Sequence, residues 1–219
     1  AKLCRYLLRF LQSDKPRCAF LMKGYAGTGK TTMVRALLKV LPELEQMAVL
    51  MAPTGRAAKV LANYSGQPAY TIHKSIYRRI ITADGATRFG LMPNKRKNTL
   101  FVVDEASMIS GRGLLGGLGN NSNLLDDLIQ FVYQQPSNRL LLIGDQAQLP
   151  PVGLEHSPAL DMPLLRRDYD LTIAEYTLTD YWTNPTGPGS RMVRPSSSRV
   201  RTRHAAGTVA DGSKILPSR

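Results

Sequence analysis

Three short stretches of the 219-residue chain carry residue types whose spacing suits phosphate chemistry. The first is Gly24-Tyr-Ala-Gly-Thr-Gly-Lys30-Thr31, which fits GxxxxGK(S/T). Glycines let successive main-chain N–H groups turn inward around phosphate oxygens. A helix opening straight after them presents its positive dipole end to the same anion. Lys30 is the cation for β- and γ-phosphates, and Thr31 supplies a hydroxyl to a Mg²⁺ ion. The candidate nucleotide-binding set is therefore Gly24, Ala26, Gly27, Thr28, Gly29, Lys30, Thr31 and Thr32, with ATP and Mg²⁺ as the expected ligands. A ligand-free glycine-rich turn is the alternative, and an apolar run before the motif with a helical pattern after it argues against that.

The second stretch, Leu100-Phe-Val-Val-Asp104-Glu105, ends an apolar run with two acids. Ligands of parallel sheets gather at the carboxyl ends of strands. There Asp104 suits the Mg²⁺ shell, and Glu105 suits the orientation and deprotonation of an attacking water. A lone Asp-Glu pair after a strand also describes a solvated loop, so this reading leans on the first motif. The third stretch, Leu142-Ile-Gly-Asp-Gln-Ala-Gln148-Leu-Pro-Pro151, again ends an apolar run in polar residues. The Gln148 amide can touch a γ-phosphate and a neighbouring group together. A plain strand-end loop fits those residues equally well.

These motifs need a frame to hold them, and the hydrophobic pattern supplies one. Continuous apolar runs at 18–24, 47–52, 99–104 and 139–145 read as buried strands, with 171–180 as a further one. Helical spacing marks 3–11, 31–41 (stopping at Pro42), 55–64 and 123–135, while 71–80 reads as a helix or an irregular turn. Strands alternating with helices predict an α/β fold, a mainly parallel sheet with helices on both faces. Residues 80–99 interrupt the alternation. Ile80-Ile-Thr and Arg88-Phe-Gly-Leu flank an Asp84-Gly85 turn signal, which predicts a small hairpin insertion. Residues 111–123 read as a flexible surface loop.

Composition bounds the rest. The formal net charge is +13 and hydrophobic residues make up 43% of the chain. The excess of cations suits a polyanionic partner. The excess is uneven, because residues 1–181 carry 22 Lys/Arg against 15 Asp/Glu while 182–219 carry seven against one. That last stretch, rich in Pro, Gly, Ser and Thr, has no apolar period and reads as a disordered basic tail. Two cysteines, Cys4 and Cys18, without a CxxC, exclude a disulfide scaffold and a zinc finger and suggest a reducing, cytoplasmic setting. No run approaches the ~20 apolar residues of a membrane span.

GYAGTGKTT, APTGRAAKVL, TIHKSIYR, VVDEASMIS and LLIGDQAQLPPVG resemble, in order, the motifs of superfamily 1 DNA helicases, most closely the RecD-like, 5′-to-3′ branch. The likeness runs from about 18 to 181. It implies a RecA-like P-loop NTPase domain, the first of two motor domains, that binds ATP and Mg²⁺ and tracks single-stranded DNA or a single/double-strand junction. By the resemblance Lys30, Glu105 and Gln148 are catalytic, Asp104 and Thr31 hold the metal, and Gln148 links γ-phosphate to DNA. Pro53, Thr54, Gly55 and Arg56 match one DNA-contacting segment, and Thr71, His73 and Lys74 the next. Residue chemistry alone leaves Arg56 as a solvated charge at a helix start, and His73 as a structural residue. The resembling helicases carry a duplex-splitting pin where the hairpin falls. Phe89 could stack on a base there, and Lys95, Arg96 and Lys97 could meet phosphates, while an exposed hairpin with a solvated basic tip fits equally well.

After Tyr181 the likeness stops. No arginine-glutamine pair follows, and the second RecA-like domain, with the arginines it lends across the cleft, is missing. The chain begins at Ala1, after the point where the family reads adenine. The sequence reading is a truncated helicase motor domain with a tail from about 182 read in a shifted frame. A slow DNA-stimulated ATPase or nucleotide-gated DNA-binding module is the second reading, and an inactive product the third.

Overall fold

A computed structural model describes residues 2–81, 85–110, 123–151 and 153–179. The expected loop at 111–122, the hairpin turn at Ala83-Asp84 and the basic tail lie outside the described residues. Among the described residues, eight strands and six α-helices follow in the order α1 (Lys2–Leu11), β1 (Cys18–Gly24), α2 (Lys30–Val40), β2 (Met47–Ala52), α3 (Gly55–Ser65), β3 (Ala69–Thr71), α4 (Ile72–Ile76), β4 (Tyr77–Ile81), β5 (Thr87–Leu91), β6 (Thr99–Val103), α5 (Leu124–Val132), β7 (Arg139–Gly144), α6 (Met162–Tyr169) and β8 (Thr172–Leu178).

Six strands form one parallel sheet in the order β3-β2-β6-β7-β1-β8. Strict alternation of buried side chains splits its core in two. Phe20, Met22, Leu50, Val102 and Leu141 point to a layer shared with α1, α2 and α3. Leu21, Met51, Phe101, Val103, Leu140 and Leu142 point to the opposite layer with α4, α5 and α6. A parallel strand covered on both faces is apolar through its centre, which is why residues 18–22, 100–103 and 140–143 read as unbroken hydrophobic runs, while Lys23 near the end of β1 pairs with Glu175 at 2.8 Å. The expected α/β, RecA-like architecture is the one observed.

The structure differs from the sequence reading in two places. Residues 69–81 are a three-residue strand, one turn of helix and the first hairpin strand, not a helix across 71–80. Thr71 caps that short helix, its Oγ1 accepting from Lys74 N at 3.2 Å. The α-helix does end before Pro42, at Val40, as expected, and a 3₁₀ turn over Leu41–Leu44 then carries the chain onward with Pro42 in its first turn, where the missing N–H costs nothing. The sequence reading also passed over α6, whose cap is Asp161 accepting from Leu164 N at 3.1 Å. On α5 Leu124 is half-buried, while Phe131 takes a full place in the core.

The hairpin is present and longer than expected on one side, with Tyr77 opposite Leu91 and Ile81 opposite Thr87. Lys95, Arg96 and Lys97 do not extend it. They lie just before β6, at the amino edge of the sheet, anchored by buried Asn138, which donates to Arg96 O at 2.9 Å and accepts from Thr99 N at 3.1 Å. Strand-end ligands gather at the opposite edge.

Candidate active site

Five of the predicted segments leave the same edge of the sheet. The phosphate loop follows β1, residues 53–56 follow β2, 71–74 follow β3, 104–105 follow β6 and 145–148 follow β7. Because the strands are parallel, their carboxyl ends form a single rim. The strand order then divides it, with β6, β7 and β1 adjacent on one side and β3 and β2 on the other.

The phosphate loop is shaped by its glycines. Gly27 and Gly29 have φ of +80° and +85°, the left-handed region that side chains disfavour. Gly24 is fixed by space instead. A Cβ there would sit 2.6 Å from Thr28 Oγ1 and 3.0 Å from Leu178 Cβ. Thr28 is buried and its hydroxyl donates to Tyr25 O at 2.8 Å, closing the loop on itself. Gly29 is the N-cap of α2 and offers no side chain, so the helix start is uncapped by a side-chain hydroxyl or carboxylate. Exposed Tyr25, Ala26 and Gly27 form the loop's outer turn, and Thr31 and Thr32 begin the helix.

Lys30 folds over this loop. Its Nζ donates to Gly24 O at 2.6 Å and Tyr25 O at 2.9 Å, and stands 3.8 Å from Asp145 Oδ2. Asp145 is 6% exposed and is held by Ala147 N, which donates to its Oδ1 at 2.9 Å. The end of β7 is thus tied to the end of β1. Sequence reasoning passed over Asp145. The signal was there, a second acid ending a buried strand just as Asp104 does, but no partner could be named without the strand order.

Asp104 stands at the tip of β6, its N–H donating to Met51 O at 3.0 Å. Burial pushes its carboxyl above the usual range, and the neighbouring Glu105 carboxylate adds to that. The Glu105 N–H, donating to Asp104 Oδ1 at 3.0 Å, and the positive charge of Lys30 pull the other way. A buried carboxylate short of positive charge is a site that a cation relieves. Glu105 has φ of +53°, which turns the chain sharply at the strand tip into a 3₁₀ turn over Ala106–Met108. That turn buries Ser107, whose Oγ donates to Gln148 Oε1 at 2.6 Å. The acidic strand end and the glutamine loop are thereby joined across β6 and β7. Nothing in the sequence singled out Ser107.

On the other side of the rim the candidate DNA residues are placed differently. Thr54 caps α3, its Oγ1 accepting from Ala57 N at 3.2 Å, so this hydroxyl serves the helix first. Pro53 is half-buried, while Gly55 and Arg56 are exposed. His73 and Lys74 are exposed on the short helix after β3. His73 lies 5.6 Å from the Tyr77 ring, and the Lys74 ammonium sits 4.9 Å over the Tyr70 ring. Phe89, 48% exposed, is on β5 opposite Arg79.

The chain can hold a triphosphate with these parts. The strand–loop–helix cradle is open at Gly27, where an added Cβ would meet nothing within 4 Å. The Lys30 bonds to loop carbonyls are exchangeable for phosphate oxygens. Asp104, with the Thr31 hydroxyl at the helix start, offers oxygen donors of the kind Mg²⁺ takes.

A parallel sheet with a phosphate loop after one strand, an acidic pair after a second and a Gly-Asp-x-x-Gln loop after a third defines a P-loop nucleotide-binding domain of RecA-like fold. A family described as an AAA domain matches residues 9–162. The chain belongs to that family. It is 32% identical over 134 residues to the "ATP-dependent RecD2 DNA helicase" of Deinococcus radiodurans, covering 60% of this chain and 16% of that one. It is 31% identical over 150 residues to the "RecBCD enzyme subunit RecD" of Mycobacterium tuberculosis, covering 60% and 24%. Among solved structures, Pif1 helicase from Bacteroides in complex with ADP-AlF3 and ssDNA aligns at a TM-score of 0.49 and 22% identity, over 84% of this chain and 43% of that one. The chain therefore spans less than a third of the length of these curated relatives. Among the described residues no helix is long and apolar enough to cross a membrane.

Proposed function

We propose that this chain is an ATP-binding and hydrolysing motor domain of a DNA helicase, with single-stranded DNA lying over the β2 and β3 end of the rim. One observation carries the reading. Lys30, Asp145, Ser107, Gln148 and Asp104, scattered over 119 positions of sequence, meet at three neighbouring strand ends. Such a convergence of phosphate-binding, metal-binding and γ-phosphate-reading groups suits phosphoryl transfer to water.

In this reading Lys30 leaves its loop carbonyls for the β- and γ-phosphates, and the loop amides bind the remaining oxygens. Thr31 and Asp104 would hold Mg²⁺, which supplies charge neutralisation on the phosphates. Glu105 takes the proton of the attacking water, and Gln148 donates its amide N–H to the γ-phosphate. Arg56 and Lys74 meet DNA phosphates, and Phe89 stacks on a base at the hairpin. Salt-dependent affinity follows from those phosphate contacts. A two-domain motor would gain from an arginine reaching across the cleft, an effect worth ~10³–10⁵ in rate in nucleotide hydrolases. The domain by itself should therefore bind nucleotide well and turn it over slowly.

The test is Mg²⁺-dependent ATP binding and hydrolysis by the chain, with and without an oligo-dT strand, for wild type and Lys30→Ala. The variant should lose roughly 10²–10³-fold in hydrolysis, the scale of removing one preorganised charge-stabilising donor. Hydrolysis by Lys30→Ala at the wild-type rate would overturn the proposal.

A further inference from the structure

The buried hydroxyl of Ser107 raises a question that phosphate chemistry alone does not answer, namely which way the Gln148 amide faces. A glutamine amide has an acceptor end and a donor end, and a γ-phosphate offers only acceptors at neutral pH. An amide free to rotate would spend part of its time presenting its oxygen to the phosphate, which repels it.

We propose that Ser107 is a positioning residue that fixes the polarity of the Gln148 amide, so that its N–H groups face the γ-phosphate. The proposal rests on the nucleotide-site reading above and deepens it. Ser107 is 1% exposed and sits in a 3₁₀ turn packed between buried Ala106 and Ile109. Its Oγ donates to Gln148 Oε1 at 2.6 Å, so the oxygen end of the amide is the one turned toward Ser107 and its Nε2 end is left for another partner. Gln148 itself is exposed on a loop whose main-chain tie near this point is its own N–H to Asp145 O at 3.4 Å. The buried partner is thus the serine and the exposed one the glutamine. Because Ser107 follows Glu105 by two residues, the group that reads the γ-phosphate is indexed to the backbone that carries the water-activating acid. Any shift of the β6 tip on nucleotide binding is passed to the loop after β7 through one hydrogen bond.

The readout is the preference for a non-hydrolysable ATP analogue over ADP, measured by equilibrium titration with fluorescent nucleotides, so slow turnover does not matter. Ser107→Ala should weaken analogue binding by about five-fold, the scale of one lost hydrogen bond, and leave ADP binding unchanged. Ser107→Thr, which keeps the hydroxyl, should restore the preference. Gln148→Ala should lose it to the same extent, and the double variant should be no worse than Gln148→Ala alone, because the two residues act as one unit. Additive losses in the double variant, or Ser107→Ala retaining a preference that Gln148→Ala loses, would overturn the proposal. So would a Ser107→Ala loss that extends equally to ADP, since that is damage to the whole site. If Lys30→Ala binds both nucleotides as wild type does, the nucleotide-site reading itself is what has failed.

Discussion

The two halves of the sheet's carboxyl rim are built on different principles. On the β6-β7-β1 side, functional groups hold one another across strands. Lys30 reaches Asp145, Ser107 reaches Gln148, and Asp104 feels the charge of Lys30. On the β3-β2 side they do not. Thr54 and Thr71 cap their own helices, and Arg56, His73 and Lys74 stand out in water. One half is a preorganised pocket, in which Lys30 and Asp145 are already paired and Asp104 waits for a cation. The other is a surface whose contacts a polyanion would complete. Preorganisation is what catalysis requires, because groups already in place cost little to reorganise as charge develops. A strand that must slide needs the reverse, namely phosphate contacts that form and break without rebuilding the protein.

That contrast can be broken from either side. Glu105→Gln should give the largest effect, a loss of roughly 10²–10⁴-fold in single-turnover ATP hydrolysis, with nucleotide affinity kept. An unchanged rate would remove Glu105 from the chemistry. On the open half, Arg56→Ala and Lys74→Ala should each weaken oligo-dT binding by about ten-fold at low salt. Each should also lower the salt-dependence slope by about one, and leave nucleotide binding in the absence of DNA as it was. If either variant disturbs nucleotide binding by itself, the two halves are not independent.

The smallest effect concerns stability. The Asp104 carboxyl is raised above its ordinary 3.8 chiefly by burial. The folded protein therefore holds that proton more readily than the unfolded chain does. The stabilisation is complete below pH 3.8 and is lost as pH rises through the folded-state value, leaving a desolvated charge at neutral pH. Asp104→Asn should raise the ligand-free melting temperature at pH 7, with the gain shrinking as pH falls towards 4, while Mg²⁺-dependent hydrolysis is lost. A variant that melts lower than wild type at pH 7 would show that this carboxylate is already compensated without metal.

The chain's two kinds of information separate cleanly along the same rim. Local pattern was enough for β1, β2, β6 and β7, because a strand covered on both faces is apolar through its centre, and for the phosphate loop, because only glycine accepts the φ angles of Gly27 and Gly29 without strain. Pattern failed over 69–81, where three elements share thirteen residues and none is long enough to show a period. Charge was as ambiguous, since Lys95–Lys97 could meet phosphates or stand solvated, and the structure places them before β6, at the amino edge of the sheet.

By itself, then, the sequence determined the buried strands β1, β2, β6 and β7 and which residue types stand at their tips. Tertiary structure alone decided that β7 inserts between β6 and β1. That insertion brings Ser107 to Gln148 across 41 residues and Lys30 to Asp145 across 115. The physical reason is that strand identity is set by a few neighbouring side chains, whereas strand order is set by how the two helix layers close over the whole sheet.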